Sequence, residues 1–165
     1  MIDLKDDGKP PPITMRRMAE TAIHELGHVL GLASDDIMYY WDRDTASPRT
    51  ERPIQFEKNF ECITGERREE IAPPPDLLRE GRTDGGARYF EVVTPTVARV
   101  AKNHFGCERA KGARLENQPS GGDCFGDHWE ERVLWNEIMS AQAKIPSIPE
   151  FLSPFTLALL EDSGW

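Results

Sequence analysis

The sequence lacks several features that would assign a protein to a broad class. No run approaches the roughly 18 consecutive apolar residues that a membrane-spanning helix needs, and residues 1–8 are too polar for the core of a secretory signal. Basic residues are not in excess, because 29 Asp and Glu face 20 Lys and Arg, for a formal net charge of −9. We therefore expect no nucleic-acid partner, since such proteins carry a basic stripe. The polar start indicates a cytosolic protein or a chain whose true start lies upstream.

Cysteine and histidine are both scarce. The three cysteines, Cys62, Cys107 and Cys124, form no C-x-x-C pair, which argues against a closed structural zinc site. An odd number of cysteines cannot pair completely within one chain. Only four histidines are present, so a site built from three of them must use nearly all.

The first predicted helix covers residues 14–31. Thr14 offers an N-cap, and Gly31 supplies a C-terminal stop. Apolar residues recur between them at helical spacing, on more than one side of the helix: Met15, Met18, Ala19, Ala22, Ile23, Leu26, Val29 and Leu30. Such a helix needs cover from other elements.

Elsewhere, helical signals outnumber strand signals. Residues 42–88 are charged and broken by prolines, which favours an irregular surface insertion with one short helix at most. Further elements are predicted in chain order: a short strand at 89–93, a helix from Pro95 to Gly106, a partly helical stretch at 128–139 and a helix at 155–161. Three tryptophans are expected in the core: Trp129, Trp135 and Trp165. The predicted fold class is α+β, mainly α with little sheet, in one domain of residues 1–165.

His24-Glu25-Leu26-Gly27-His28 places an H-E-x-x-H pattern on the first predicted helix. Residues i and i+4 lie on one helix face, so both imidazoles can bind one Zn²⁺ ion at about 2.0–2.1 Å. Glu25 lies beside the metal without binding it, where it can act as catalytic base toward the attacking water. The pattern predicts one zinc ion with His24 and His28 as ligands. The competing interpretation is an amphipathic helix with two incidental histidines.

The third ligand does not follow directly after this motif. Gly31 extends the pattern to H-E-x-x-H-x-x-G, but Ser34 stands where metzincins have a third histidine, and a hydroxyl is a poor zinc ligand. His104 falls in the last turn of a predicted helix, where a surface or capping role is favoured, so we expect it to point away from the metal. His128 precedes Met139 by eleven positions, and a ligand followed by a methionine turn is the metzincin order.

Four stretches of the chain resemble leishmanolysin, a metzincin family in which a long insertion separates the second and third zinc histidines. These stretches are residues 24–31, 93–107, 115–130 and 157–165, and Asn136-Glu137-Ile138-Met139 resembles the family's methionine turn. The resemblance implies a zinc endopeptidase that acts on proteins or peptides. It implies His24, His28 and His128 as zinc ligands, Glu25 as the base and Met139 beneath the metal.

The resemblance also implies that the chain is the central part of a metzincin catalytic domain. Residues 92–165 correspond to its helical part, with the third ligand and the methionine turn. The family has a twisted sheet before the active-site helix, so we expect an upstream sheet subdomain to be missing here and the isolated chain to be marginally stable and aggregation-prone. Family members are secreted or membrane-anchored, which implies an extracellular or membrane-associated full-length protein.

The cysteine pairing expected from the family is incomplete. The family cysteine that matches Cys107 pairs with one beyond the end of this chain. Cys107 is therefore expected to be free or paired with Cys124, and Cys62 has no assigned partner.

Two alternatives remain for the zinc chemistry. Asn136-Glu137-Ile138-Met139-Ser140 also resembles the Asn-Glu-x-x-Ser run of thermolysin-like peptidases, which would make Glu137 the third ligand, but Glu137 lies 109 positions after His28. That separation is far larger than such enzymes use. The other alternative is a truncated or inactive zinc-binding fragment, against which the retained Glu25 argues.

Overall fold

The computed structural model describes residues 11–118, 123–142, 144–145 and 147–164. Helices in this part of the chain are α1 (Pro12–Val29), α2 (Ser34–Ile37), α3 (Pro95–Phe105) and α4 (Pro154–Asp162). Strands are β1 (Trp41–Asp42), β2 (Ser47–Pro48), β3 (Phe56–Glu61), β4 (Arg67–Ile71), β5 (Leu78–Arg82), β6 (Arg88–Val92) and β7 (Ala113–Arg114). The strand predicted at 89–93 and the helices predicted at 95–106 and 155–161 are confirmed, with bounds shifted by no more than one residue.

The first helix begins earlier than predicted. It starts at Pro12, and Pro11 at the N-cap position makes no side-chain capping bond, so the prediction of Thr14 as N-cap was wrong. Proline is well placed in the first turn, because the N–H it lacks has no partner inside the helix there. The helix ends at Val29 with Leu30 as its C-cap residue, and Gly31 adopts a φ of 109° as the chain turns away.

The prediction that residues 42–88 form an irregular insertion was wrong. Strands β2 to β5 lie inside this fully described segment, and no helix does. Antiparallel pairing joins β1 to β2, β3 to β4, and β5 to β6 to β7. Charged side chains dominate this segment because the two-stranded ribbons expose much of their surface, so the apolar alternation that reveals a half-buried strand is weak.

The stretch 128–139 is not helical. Its backbone groups pair with distant segments: the Trp129 N–H donates to the Met139 carbonyl at 3.0 Å, and the Ile138 N–H to the Phe151 carbonyl at 2.8 Å. Tertiary pairing has therefore overridden local helical propensity. Trp129 is fully buried as predicted, whereas Trp135 is 51% exposed. Trp165 lies outside the described residues.

The hydrophobic core lies between α3, α4 and the three-stranded sheet. Large buried side chains from these elements and from the loop before Trp129 fill it: Phe90, Val97, Phe125, Trp129, Phe155 and Leu159.

A disulfide joins Cys62 to Cys124, and Cys107 is free. Cys107 was expected to be free or paired with Cys124, and it is free. Cys62, for which the sequence indicated no partner, pairs with Cys124.

Helix α1 contacts the rest of the molecule along one narrow face. Glu20 and Gly27 are its buried residues, and Arg17 pairs with Glu150 at 3.1 Å near its N-terminal end. The other faces carry exposed apolar side chains, including Met18 at 50% and Val29 at 79%. No helix in the described ranges is both long and apolar enough to cross a membrane.

Candidate metal centre

Three imidazole rings meet at the buried edge of α1. The Nε2 atom of His28 lies 3.1 Å from Nε2 of His24 and 3.2 Å from Nε2 of His128, and the third separation, His128 to His24, is 3.3 Å. Three nitrogens bound to one tetrahedral Zn²⁺ at 2.0–2.1 Å would lie about 3.3–3.4 Å apart. The spacing of the three nitrogens therefore suits a single zinc ion.

The outer nitrogens of the same rings explain this convergence. Nδ1 of His24 bonds the Ile138 carbonyl at 2.7 Å, and Nδ1 of His28 bonds the Leu32 carbonyl at 2.7 Å. A carbonyl can only accept, so each Nδ1 carries the proton and each neutral ring turns an Nε2 lone pair inward. His128 bonds the Glu116 carboxylate through Nδ1 at 2.5 Å. Lone pairs this close repel one another unless a cation lies between them, so the donor set fits a metal ion.

The electrostatics of His28 favour its neutral form. Burial lowers the pKa of His28 below its ordinary value, and the neighbouring His128 and His24 rings lower it further. The Leu32 carbonyl and Asp127 act in the opposite direction without reversing the shift. A metal ligand must offer an unprotonated nitrogen, so this shift favours metal binding near neutral pH.

Gly27 brings α1 against the segment that carries Met139. A Cβ placed on Gly27 would lie 2.3 Å from Sδ of Met139 and 2.7 Å from its Cε. Met139 is fully buried, so its side chain has little room to withdraw. The glycine therefore permits the close approach that also lets His24 reach the adjacent Ile138 carbonyl.

His128 does not lie on a helix. It is positioned by a short antiparallel pairing between residues 114–116 and 128–130. The Glu116 N–H donates to the His128 carbonyl at 2.8 Å, and the Glu130 N–H donates to the Arg114 carbonyl at 2.9 Å. Gly126 precedes this pairing with a φ of 94°, and a Cβ there would lie 2.3 Å from the Glu116 carbonyl oxygen. The Cys62–Cys124 disulfide fixes the chain four residues before His128.

Ser34, which stands where metzincins have their third histidine, contacts Asp127, the residue before His128. Its N–H and its hydroxyl both donate to Oδ1 of Asp127 at 2.7 Å. Burial alone would raise the pKa of Asp127, but these two bonds and those from nearby groups hold it below its ordinary value. Burial and Asp127 together raise the pKa of Asp123 to about 6. The charged Asp127 thus ties the start of α2 to the loop that carries His128.

Glu25 is exposed on α1, one position along from His24. It lines a cavity of about 170 Å³ together with His24, Ser140 and Glu150. His128 and Glu116 form part of the wall of a second cavity of about 480 Å³. The histidine cluster therefore borders two cavities, and each cavity has three glutamates in its wall.

The other candidate ligands lie elsewhere. The ring of His104 packs against Phe105 and Phe155, at centroid distances of 4.8 and 5.2 Å, and it is not part of the histidine cluster. Glu137 accepts hydrogen bonds from Ser153 and Thr156 and from the Met139 N–H. Glu137 is not part of the histidine cluster, so the thermolysin-like arrangement was wrong.

Sequence reasoning did not assign roles to Glu116 or Asp127. Glu116 belongs to a stretch that resembles leishmanolysin, but nothing in the pattern indicates which carboxylate faces the third histidine. Asp127 directly precedes His128, and adjacency along the chain does not show that its partner is Ser34, 93 positions away. Both contacts depend on how the loops fold together.

Three convergent imidazoles with a glutamate on the same helix are the arrangement used by metal-dependent hydrolases. The model of the M8 peptidase family, described as leishmanolysin, matches residues 76–165, which is more than half of the chain. The chain therefore belongs to the leishmanolysin family of metallopeptidases.

Individual relatives agree with this assignment. The chain is similar to the leishmanolysin-like peptidase of Drosophila pseudoobscura pseudoobscura, with 34% identity over 93% of this chain and 22% of that protein. It is also similar to the ciliated left-right organizer metallopeptidase of Danio rerio, with 40% identity over 88% of this chain and 19% of that protein. The chain thus spans about a fifth of the length of these curated relatives. No solved structure matches it.

Proposed function

We propose that this chain carries the zinc centre of an endopeptidase that cleaves peptide bonds in proteins. The observation that supports this most directly is the convergence of three Nε2 atoms within 3.1–3.3 Å of one another. His24, His28 and His128 would hold one Zn²⁺ ion. Three protein ligands leave the fourth position of a tetrahedral ion open, as catalytic zinc sites do.

A bound zinc ion would polarise the scissile carbonyl and lower the pKa of the attacking water. The chain's own contribution to proton transfer is Glu25, whose exposed carboxylate lines the cavity beside His24. Glu25 accepts the proton of the attacking water and delivers it to the leaving amine. The hydrogen bonds at each Nδ1 keep the three rings oriented while this happens.

Proteins and peptides are the proposed substrates, and we propose an extracellular or membrane-associated site of action for the full-length protein. The Cys62–Cys124 disulfide supports such a site, because disulfides persist in oxidising compartments and are rare in the cytosol. The acidic net charge of −9 supports a partner other than nucleic acid.

Glu25→Gln separates metal binding from catalysis. We expect the variant to retain zinc at the wild-type stoichiometry, because Glu25 is outside the histidine cluster, and to lose about 10²–10⁴-fold in peptide hydrolysis. Zinc content is measured by atomic absorption and hydrolysis by casein cleavage, both on the full-length protein.

Two further variants serve as controls. His28→Ala should lose zinc and activity together, and His104→Ala should keep both. Loss of zinc in Glu25→Gln would make Glu25 a ligand and contradict the assigned roles. Full zinc loading without hydrolysis in the wild type would support a zinc-binding protein without catalysis instead.

A further inference from the structure

His128 differs from the other two histidines in the group that holds its outer nitrogen. His24 and His28 are oriented by the main-chain carbonyls of Ile138 and Leu32, which no side-chain substitution removes. His128 is oriented by the side chain of Glu116, with 2.5 Å between Nδ1 and Oε1. The third ligand is thus the one whose orientation depends directly on a replaceable residue.

Glu116 is itself held firmly in place. Its N–H donates to the carbonyl of His128, the same residue that its carboxylate contacts. On the other side Gly126 packs so closely that a Cβ would lie 3.0 Å from Cγ of Glu116. The side chains of Glu116 and His128 are only 12% and 20% exposed, so solvent competes little for their contact.

The Glu116 carboxylate is directed to His128 and to no cation in the described part of the chain. Two other glutamates on the wall of the same 480 Å³ cavity differ in this respect, because Glu130 pairs with Arg132 and Glu131 pairs with Lys144. An ionised carboxylate is acceptor-only, so it fixes the Nδ1–H tautomer of the neutral His128 ring and leaves Nε2 free to bind. It also strengthens the ring as a donor to a metal.

We propose that Glu116 is the positioning residue of the metal centre, which fixes the tautomer and orientation of His128 and thereby sets the zinc affinity. This inference rests on the proposed zinc centre. Replacing a partner of this kind lowers metal affinity about 10–100-fold in zinc proteins. The loss belongs to metal binding and does not require any change in the stability of the metal-free protein.

The test compares Glu116→Gln with Glu130→Gln, which removes a carboxylate from the same cavity wall without touching His128. Zinc affinity is measured on the full chain by competition with a chromophoric chelator, and the melting temperature of the metal-free protein is measured alongside. We expect Glu116→Gln to bind zinc about 10–100-fold more weakly than wild type. Glu130→Gln should bind zinc as wild type does.

Two additional measurements distinguish positioning from a general effect of charge or of folding. Glu116→Asp keeps the charge but shortens the side chain, so it should also bind zinc more weakly. Nitrogen NMR of the metal-free protein should show the Nδ1–H tautomer of His128 in the wild type. In Glu116→Gln the amide can donate as well as accept, so the Nε2–H tautomer should become populated.

The possible outcomes separate this inference from the proposed function. A wild-type chain that binds no zinc would contradict the zinc centre itself. A wild type that binds zinc tightly, together with a Glu116→Gln variant of equal affinity, would overturn the role of Glu116 alone. So would a Glu116→Asp variant with wild-type affinity, or a wild-type His128 that carries its proton on Nε2.

Discussion

Gly27 occupies one of the two unspecified positions of the H-E-x-x-H pattern, yet the structure leaves no space for a side chain there. Its Cα faces the Met139 thioether, and an added Cβ would lie 2.3 Å from Sδ. Met139 lies next to Ile138, whose carbonyl holds the His24 ring. The glycine thus couples the packing of α1 to the geometry of the histidine cluster.

Gly27→Ala should destabilise the protein by about 1–3 kcal/mol, because overpacking a filled site forces backbone or rotamer shifts. This exceeds the gain of about 1 kcal/mol or less that alanine offers over glycine inside a helix. The measurement is urea unfolding of the metal-free chain. Zinc affinity should fall with stability, because α1 can shift only by moving His24 and His28.

Two variants control for this interpretation. Gly85→Ala adds the same methyl group where the nearest atom is 3.9 Å away, so it should leave unfolding unchanged. Gly27→Ala combined with Met139→Ala should cost less than the sum of the two single changes, because the shortened side chain at 139 leaves room for the new methyl group and that methyl group fills part of the cavity. Strict additivity would show that Gly27 and Met139 do not compete for space.

Among the elements, the β3–β4 hairpin is connected to the histidine cluster through a disulfide that the sequence did not predict. Cys62 follows directly after β3, and its disulfide partner Cys124 lies four residues before His128. Both cysteines are buried in the core. The hairpin, which lies outside the H-E-x-x-H helix and the methionine turn, therefore anchors the loop that supplies the third histidine.

Removing this disulfide by Cys62→Ser with Cys124→Ser should reduce the free energy of unfolding by about 2–5 kcal/mol. The cross-link spans a sequence separation of 62 residues. Because it closes a long loop, its removal gives the unfolded chain a large gain in conformational entropy. Zinc affinity should fall as well, because the His128 loop loses its anchor. Calorimetry and chelator competition measure the two effects.

Cys107→Ser is the matched control, since Cys107 is free. It should change neither unfolding nor zinc binding. Equal stability of the double serine variant and Cys107→Ser would show that the Cys62–Cys124 bond contributes nothing to the fold.

The sequence predicts elements whose signals act over a few neighbouring residues, and it does not predict contacts between distant residues. Pro95 and Gly106 mark the ends of α3 through backbone chemistry that acts within one turn, so this helix was predictable. The strands of residues 42–88 were not, because their charged residues face solvent on narrow ribbons. The Glu116–His128 contact depends on pairing between residues 12 positions apart and on a glycine between them. No periodic pattern marks such a contact.

Considered as a whole, the molecule has an uneven distribution of apolar surface. The core around α3, α4 and the small sheets is well filled, whereas α1 exposes several large apolar side chains: Met15 at 55%, Met18 at 50%, Leu26 at 52%, Val29 at 79% and Leu30 at 46%. Contiguous apolar patches above a few hundred Å² mark an interaction surface or an aggregation risk. The five side chains lie on the face of α1 that turns away from the histidines, so we expect this face to act as such a surface.

We expect the isolated 165-residue chain to self-associate through this face of α1. A triple variant with Met15→Lys, Met18→Lys and Val29→Lys should be more monomeric, because apolar area leaves the surface and like charges then repel between copies. Sedimentation over a concentration series measures the effect. The control places three lysines at exposed apolar residues on other surfaces, Phe56, Ile145 and Leu157, and should associate as the wild type does. A monomeric wild type, or a control variant that disperses equally well, would show that the α1 face has no special part in association.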